Sequence, residues 1–177
     1  MRPIAASGME TKLREIALDP RALPPLNKLD FKTRNEVMNT FTKALGVQCS
    51  FCHLKDVDKS RPKGGAAGSS GQPLDFKAPT PNKKITAHMW NDFTRSLAMA
   101  DGSALYCDSC HNGTTRFLDR KDLAALSTWM TDNYVDKLKR VDPKHPKAEQ
   151  EHGCETCHGD PIEGKIISKL WKITPSP

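Results

Sequence analysis

Six cysteines form three pairs of identical spacing, and a histidine directly follows each pair. The motifs are Cys49-Ser50-Phe51-Cys52-His53, Cys107-Asp108-Ser109-Cys110-His111 and Cys154-Glu155-Thr156-Cys157-His158. Two thiols three positions apart can reach the two vinyl groups of one haem, and the next residue then presents an imidazole to the iron. The spacing therefore predicts three covalently bound haem c groups, with His53, His111 and His158 as the proximal iron ligands.

Two other uses of paired cysteines fit this pattern less well. A structural zinc site needs four ligands, so three identical pairs would leave one half-site without a partner. A thioredoxin-like disulfide needs one motif ahead of a helix in a βαβ unit, whereas this chain repeats the motif three times. Haem attachment is the interpretation that uses all six cysteines in the same way.

Length and composition are typical of a small protein whose core is completed by a cofactor. The chain has 177 residues, of which 37% are hydrophobic and only 6% aromatic. Side chains alone supply little material for a bulky core in such a chain. We therefore predict a mainly α fold, in which short helices and long loops pack around three covalent haems.

The net charge of +6 comes from 27 basic and 21 acidic side chains. A basic balance ordinarily indicates nucleic acid or an anionic membrane as partner, but three haems bring about six propionate charges that would offset the excess. We therefore expect no nucleic-acid partner. One stretch of the chain, which we call the basic run, contains Lys137, Lys139, Arg140, Lys144 and Lys147. The basic run is either a solvated face or a docking patch for an acidic redox partner protein.

No stretch of the sequence approaches the roughly 20 apolar residues that cross a bilayer, so no transmembrane segment is expected. The first eight residues also lack the apolar run of an export signal. Haem is joined to this motif outside the cytoplasm. We therefore expect a periplasmic or extracellular protein from which an export signal, or a signal with a lipid anchor, has been removed.

Hydrophobic periodicity predicts four helices, at residues 9–18, 31–45, 85–100 and 122–140. Gly46 is the predicted stop of the second helix. Residues 61–82 are rich in proline and glycine, which predicts a long surface loop.

The last three helices show an internal repeat, because each carries a methionine ahead of an aromatic residue and leads to a haem motif. The methionine–aromatic pairs are Met38 with Phe41, Met89 with Phe93, and Met130 with Tyr134. A thioether is a standard second axial ligand in c-type cytochromes. The repeat therefore predicts these three methionines as the sixth ligands, while Met9 and Met99 are predicted to pack in the core.

Three histidines outside the motifs, His88, His145 and His152, are alternative sixth ligands. His88 adjoins Met89 and points about 100° away on a helix, so the two side chains cannot face one iron. His145 and His152 precede the third motif closely enough to reach its haem or a neighbouring one. The sixth ligand of the third haem is therefore left open.

Two stretches of the sequence resemble a known family. The run from Val37 to His53 resembles the methionine helix and haem motif of the cytochrome subunit of photosynthetic reaction centres and its non-photosynthetic relatives. A second set of residues resembles the second unit of that two-haem repeat. The set consists of Leu74-Asp75-Phe76, Pro81, Lys83-Lys84, Ala87, Met89 and the run from Tyr106 to Gly113. Together these stretches cover residues 26–116.

The resemblance implies haems paired by local pseudo-symmetry, electron transfer as the activity, and ligation of His53 with Met38 and of His111 with Met89. The reaction-centre subunits carry four haems, and the insertion at residues 64–71 is foreign to their pattern. The chain therefore resembles a free-standing, three-haem, non-photosynthetic relative. Residues 1–116 form the predicted two-haem unit, with an N-terminal extension and the loop 61–82, and residues 117–177 form a third haem unit with a C-terminal tail.

The predicted function is that of an extracytoplasmic electron carrier that relays single electrons through three haems and is not an enzyme. The alternative is a multihaem reductase or peroxidase with an open iron site at the third haem. We identify no set of Arg, His and Tyr in the sequence that would mark a distal catalytic pocket, which favours the carrier.

Overall fold

The computed structural model describes residues 1–55, 73–142, 144–150, 152–158 and 166–174, with the backbone alone for 145–150. In chain order the helices are α1 (Glu10–Glu15), α2 (Phe31–Leu45), α3 (Pro81–His88), α4 (Cys107–Cys110), α5 (Leu123–Met130) and α6 (Cys154–His158). Short 3-10 turns lie at Leu26–Lys28 and Cys49–Phe51, and π-helical segments at Met89–Thr94, Thr131–Val135 and Ile166–Leu170. The expectation of a mainly helical protein with short helices is confirmed.

Five short strands form two antiparallel sheets. The strands are β1 (Leu54–Lys55), β2 (Leu74–Asp75), β3 (Leu97–Met99), β4 (Leu138–Asp142) and β5 (His145–Gln150). β1 pairs with β2, and the second sheet has the order β3-β4-β5. In that sheet Met99 lies opposite Leu138. The sheet therefore joins residues of the two predicted units, 1–116 and 117–177.

Helix α2 has the bounds that the sequence predicts, because both of its ends are encoded locally. The carboxylate of Asp30 accepts a hydrogen bond from the Thr33 N–H at 3.0 Å and caps the first turn. Gly46 adopts φ +64° and ends the helix in the left-handed conformation. The apolar stripe then buries Val37 and Phe41.

The other three helix predictions need correction at their ends. The first helix covers only Glu10–Glu15, because Ala17 takes a positive φ of 60°. The helix predicted at 85–100 starts earlier, at Pro81, and ends at Thr94, whereas the one predicted at 122–140 ends at Val135. Leu97 and Leu138, which continue the helical spacing, lie on β3 and β4 instead. A period read from the sequence does not reveal this long-range strand pairing.

The segment predicted as a loop at 61–82 is only partly described, since residues 56–72 lie outside the described residues. Within its remaining part, β2 pairs with β1, and Pro81 occupies the first turn of α3 behind the capping residue Thr80. Proline at this position is typical of a helix start because its missing N–H would be unpaired there anyway.

Helices α3 and α5 both change to π-helical geometry at the predicted methionine. The π turn after α3 begins at Met89, and the one after α5 begins directly behind Met130. A π turn adds one residue to a helix. This matches the sequence, in which the aromatic residue follows Met38 by three positions but follows Met89 and Met130 by four. We refer to Pro81–Thr94, α3 with its π turn, as the α3 segment.

The core consists of two hydrophobic clusters. Cluster 1 contains Leu13, Leu18, Leu23, Leu29, Val37, Phe41, Trp90 and Tyr106. Cluster 2 contains Ile4, Leu97, Met99, Leu105, Trp129 and Leu138. Cluster 2 takes side chains from both sides of position 116, so the two predicted units share a core. In the part of the chain that the structure describes, no helix is long and apolar enough to cross a bilayer.

The close approach of α2 to the second motif gives a testable prediction about Gly46. A Cβ at this residue would overlap the carbonyl oxygen of Gly113, in addition to the cost of its positive φ. We expect Gly46→Ala to lower the free energy of unfolding by roughly 2 to 4 kcal/mol, measured by urea denaturation. Gly102→Ala is the matched control, because Gly102 has φ +79° and open space around a Cβ; it should cost only about 1 kcal/mol. Equal losses in the two variants would contradict the predicted steric conflict.

Candidate functional site

None of the six cysteines forms a disulfide, and the two cysteines of each pair lie on one short helical stretch. The first pair lies on the 3-10 turn that begins at Cys49, the second on α4 and the third on α6. Both thiols of a pair therefore come from one short segment, which is the arrangement that two thioether bonds to a single haem require.

The first motif is anchored by the start of the α3 segment. The Thr80 hydroxyl donates to the Cys52 carbonyl at 2.8 Å, and the Asn82 side-chain amide donates to the Phe51 carbonyl at 2.7 Å. Burial lowers the pKa of His53, and the nearby charge of Lys83 lowers it further. The imidazole is therefore held in its neutral form, which is the form that binds a metal.

Apolar side chains surround the first motif and remain exposed. Phe51, Leu54 and Phe76 have exposed fractions of 44%, 55% and 45%. The Phe76 ring lies 4.6 Å from the His53 ring, centroid to centroid, and the Nδ1 atom of His53 is buried without a hydrogen-bond partner among the described residues. Exposed apolar groups beside an accessible thiol, Cys49, fit the attachment of a large apolar plate.

The second motif is the most firmly held of the three. The Ser109 hydroxyl accepts from the Tyr106 N–H at 3.1 Å, and the Tyr106 hydroxyl hydrogen-bonds Thr40 on α2 at 2.8 Å. On the far side of the motif, the Gly113 N–H donates to the Ala44 carbonyl at the end of α2 at 2.7 Å. Helix α2 therefore hydrogen-bonds the second motif on both sides of its cysteines.

An N-terminal strap, residues 2–8, crosses the second motif. The Asp108 carboxylate accepts from the Ser7 hydroxyl at 2.6 Å and from the Gly8 N–H at 2.8 Å. The guanidinium of Arg2 donates to the Asp108 carbonyl at 3.1 Å. Asp108, the first residue between the two cysteines, thus anchors the strap to the second motif. The spacing of the cysteines alone does not indicate this role.

His111 has the hydrogen bond that commonly orients a metal-binding imidazole. Its Nδ1–H donates to the Thr114 carbonyl at 2.9 Å, which leaves the lone pair on Nε2. Burial lowers the pKa of His111, although this hydrogen bond opposes the shift. The ring is therefore neutral and fixed in one tautomer.

The thiols of the second motif lie between the two clusters. Cys107 packs against cluster 1 and Cys110 against cluster 2. Burial raises the pKa of each thiol to about 12, while hydrogen bonds from Thr94 to Cys107 and from Tyr134 to Cys110 act in the opposite direction.

Charges on β4 and on the α3 segment affect the third motif. Burial raises the pKa of Cys157, the charge of Arg140 on β4 lowers it, and the charge of Asp92 raises it again. The Nδ1 atom of His158 is buried and has no hydrogen-bond partner among the described residues. Arg140, a member of the basic run, is itself half-buried on β4.

One helix carries polar side chains that influence a cysteine of each motif. On the α3 segment, hydrogen bonding by Thr86 lowers the pKa of Cys52 and that by Thr94 lowers the pKa of Cys107, whereas the charge of Asp92 raises the pKa of Cys157. Sequence reasoning identified this helix but not these three polar residues. Their types are common on any exposed helix face, so the sequence carries no signal that would have singled them out.

The three predicted methionine ligands lie at different parts of the core. Met38 packs at the edge of cluster 1, Met130 at the edge of cluster 2, and Met89 is partly buried at the start of its π turn. Their pairing with particular irons stays a prediction. Met99 is buried in cluster 2 and Met9 packs against cluster 1, which confirms their predicted packing role.

The spare histidines have distinct surroundings. His88 pairs through Nδ1 with Asp92 at 2.8 Å, and its ring stacks on Trp171 with centroids 4.5 Å apart. The Nε2 atom of His152 hydrogen-bonds the Tyr134 carbonyl at 2.6 Å. His145 begins β5, but its side chain lies outside the described residues, as does that of Lys147 in the basic run.

Among the described residues, no group of three or more His, Cys, Asp and Glu side chains is arranged to hold a metal ion.

The thiol environments predict an order of alkylation in the haem-free protein. With a pKa of about 12, on the order of one thiol in 10,000 is ionised at pH 8, and the thiolate is the nucleophile. We expect iodoacetamide to modify the exposed Cys49 and Cys154 first and the partly buried Cys107 and Cys110, whose pKa is raised, last, as followed by peptide mass spectrometry. In urea all six should react alike. Modification of Cys107 as fast as Cys49 in the native protein would contradict the described burial.

Comparison with known proteins gives no further assignment. No protein-family model matches the chain, and neither the search of curated proteins nor that of solved structures found a match.

Proposed function

We propose that this chain is an extracytoplasmic electron-transfer protein that relays single electrons through three covalently bound haem c groups. The observation that carries the proposal is the set of three complete Cys-x-x-Cys-His motifs, each with both cysteines on one short segment of chain. When bound, each haem supplies an iron that can gain or lose one electron.

Each motif supplies two thioether-forming cysteines and one proximal histidine. At the first two motifs the imidazole is kept neutral by burial, so no proton has to leave before Nε2 binds iron. The Thr114 carbonyl fixes the ring of His111, and the exposed apolar side chains around His53 offer a surface that a haem would cover.

The α3 segment supports a close arrangement of the first two attachment points. Asn82 donates to the Phe51 carbonyl in the first motif, and the Trp90 ring contacts that of Tyr106, which directly precedes Cys107. Asn82 and Trp90 are eight positions apart, at most about 12 Å along a helix. A set of neighbouring haems serves electron transfer and requires no substrate pocket.

Met38 and Met89 are the proposed sixth ligands of the first two haems. A thioether stabilises ferrous iron, so these two sites would have higher potentials than a bis-histidine site. The π turn that begins at Met89 adds the residue that keeps Phe93 and Met89 in the same relation as the corresponding pair on α2.

The proposed partner is a redox protein with an acidic docking surface. Lys144 is exposed at the turn between β4 and β5, and Lys139 lies on β4. Basic groups of this kind steer an acidic partner toward the protein and make its association rate fall with ionic strength.

Haem stoichiometry tests the proposal directly. When the chain is exported in a host with a c-type haem attachment system, we expect three haems per chain by pyridine haemochrome assay and intact mass. Replacing both cysteines of one motif, for example Cys154→Ser with Cys157→Ser, should remove one haem and leave two. The absence of covalent haem from the exported parent chain would overturn the proposal.

Carbon monoxide separates the carrier from the alternative reductase or peroxidase. In a carrier all irons have two axial ligands, so the reduced protein should show low-spin spectra that added carbon monoxide leaves unchanged. A haem that binds carbon monoxide in the parent chain would favour the enzyme instead.

A further inference from the structure

We propose that His88 supplies the sixth axial ligand of the haem at the third motif, and that Asp92 positions its imidazole. This inference rests on the proposed function, because it concerns the ligand set of one of the three haems. It assigns the site that the sequence leaves open.

The pairing with Asp92 prepares His88 to bind a metal. A carboxylate only accepts hydrogen bonds, so at a distance of 2.8 Å the Nδ1 atom of His88 must carry the proton. The lone pair is then on Nε2. A ligating histidine almost always donates its other N–H in this way, which fixes the ring and makes it a better ligand. Among the described residues, Nε2 of His88 has no hydrogen-bond partner to displace.

Trp171 holds the plane of the His88 ring. The two rings are nearly parallel, with an interplanar angle of 13° and centroids 4.5 Å apart. Trp171 also makes an edge contact with Phe93, one turn further along the same helix, at 6.1 Å. The imidazole is therefore constrained by a hydrogen bond at one edge and by stacking on one face, although its side chain is still 40% exposed.

A chain of contacts connects this histidine to the third motif. The π-helical segment Ile166–Leu170 packs against α6, which carries the third motif. That segment leads directly into Trp171, whose ring stacks on His88. The stacking therefore ties His88 to the segment that packs on the attachment site of the third haem.

The competing ligands are less well placed. The Nε2–H of His152 donates to the Tyr134 carbonyl and leaves the buried Nδ1 without a hydrogen-bond partner among the described residues. His152 lies only two positions before Cys154, however, on the same short segment as the proximal ligand His158, whereas the sixth ligand must approach the iron from the opposite face. Met130 packs at the edge of cluster 2 together with Cys110 of the second motif. His88 is the spare histidine whose Nδ1 is held by a carboxylate in the part of the chain that the structure describes.

His88 and Met89 do not have to compete for one iron. Consecutive residues on a helix point about 100° apart, so the two side chains can serve two different haems. Met89 would face the second haem and His88 the third. The α3 segment then supplies ligands to two sites.

Spectroscopy of the haem-loaded chain tests the ligand. We expect the parent protein to contain three low-spin haems, one of them bis-histidine by electron paramagnetic resonance. His88→Ala should keep three covalent haems, but one third of the haem should become high-spin and bind carbon monoxide, and added imidazole should restore the low-spin signal. Asn91→Ala, at an exposed neighbouring position of the π turn, is the control and should leave the spectra unchanged.

A second variant keeps the test decisive if the alanine substitution disturbs folding. His88→Met retains a ligand, so all haems should stay low-spin while one gains a near-infrared thioether band and a higher midpoint potential. Asp92→Asn should keep bis-histidine ligation but raise the potential of that haem, because the imidazole loses its anionic partner; a purely structural role for Asp92 would leave the potential unchanged.

The failures are distinguishable. A parent chain without covalent haem would overturn the proposed function. Three attached haems whose spectra do not respond to His88→Ala and His88→Met would overturn only the ligand assignment. The same holds if the high-spin conversion follows replacement of Met130 or His152 instead, or if the parent chain already contains a high-spin haem.

Discussion

The burial of Trp90 is the constraint on which the arrangement of the motifs depends. Its side chain is 1% exposed and makes edge contacts with Phe41 at 5.7 Å and Tyr106 at 6.1 Å. Its indole N–H donates to the Pro24 carbonyl at 2.9 Å, so the polar atom is satisfied as well. Loss of a buried Trp side chain typically costs about 3 to 5 kcal/mol. This residue fixes the α3 segment against α2 and the second motif.

The second motif is the junction between the two halves of the core. Its two thiols face different clusters, and its backbone is held by α2 on one side and by the N-terminal strap on the other. The strap continues to α5 and its π turn, where the Ile4 N–H donates to Asn133 at 2.9 Å and the Trp129 indole donates to the Arg2 carbonyl at 3.2 Å. The N-terminal strap thus connects the second motif with α5 and its π turn. The first and third motifs lie outside this junction and have the exposed cysteines, Cys49 and Cys154.

Prediction from sequence succeeded where a structural feature is encoded by neighbouring residues. The bounds of α2 follow from the Asp30 cap and the Gly46 stop, and both act within one helical turn. It failed where distant backbones meet. Leu97 and Leu138 continue the spacing of their helices, yet both lie on strands, because β3 and β4 hydrogen-bond each other across about forty positions of sequence. The π turns are an intermediate case. The added residue is visible in the sequence as a longer spacing from Met89 and Met130 to the following aromatic residue, but the π-helical backbone geometry is not.

For the candidate site, the sequence by itself determined the chemistry: three pairs of thiols, each followed by an imidazole, at a spacing set by covalent dimensions and therefore readable without coordinates. It also identified methionines and histidines as candidate ligands, but not which of them approach which motif. Only the tertiary structure brought His88, Asp92 and Trp171 together, since these contacts join α3 to a segment about eighty positions later in the chain. Such contacts depend on packing of whole elements against a shared core, and no local pattern of residues specifies them.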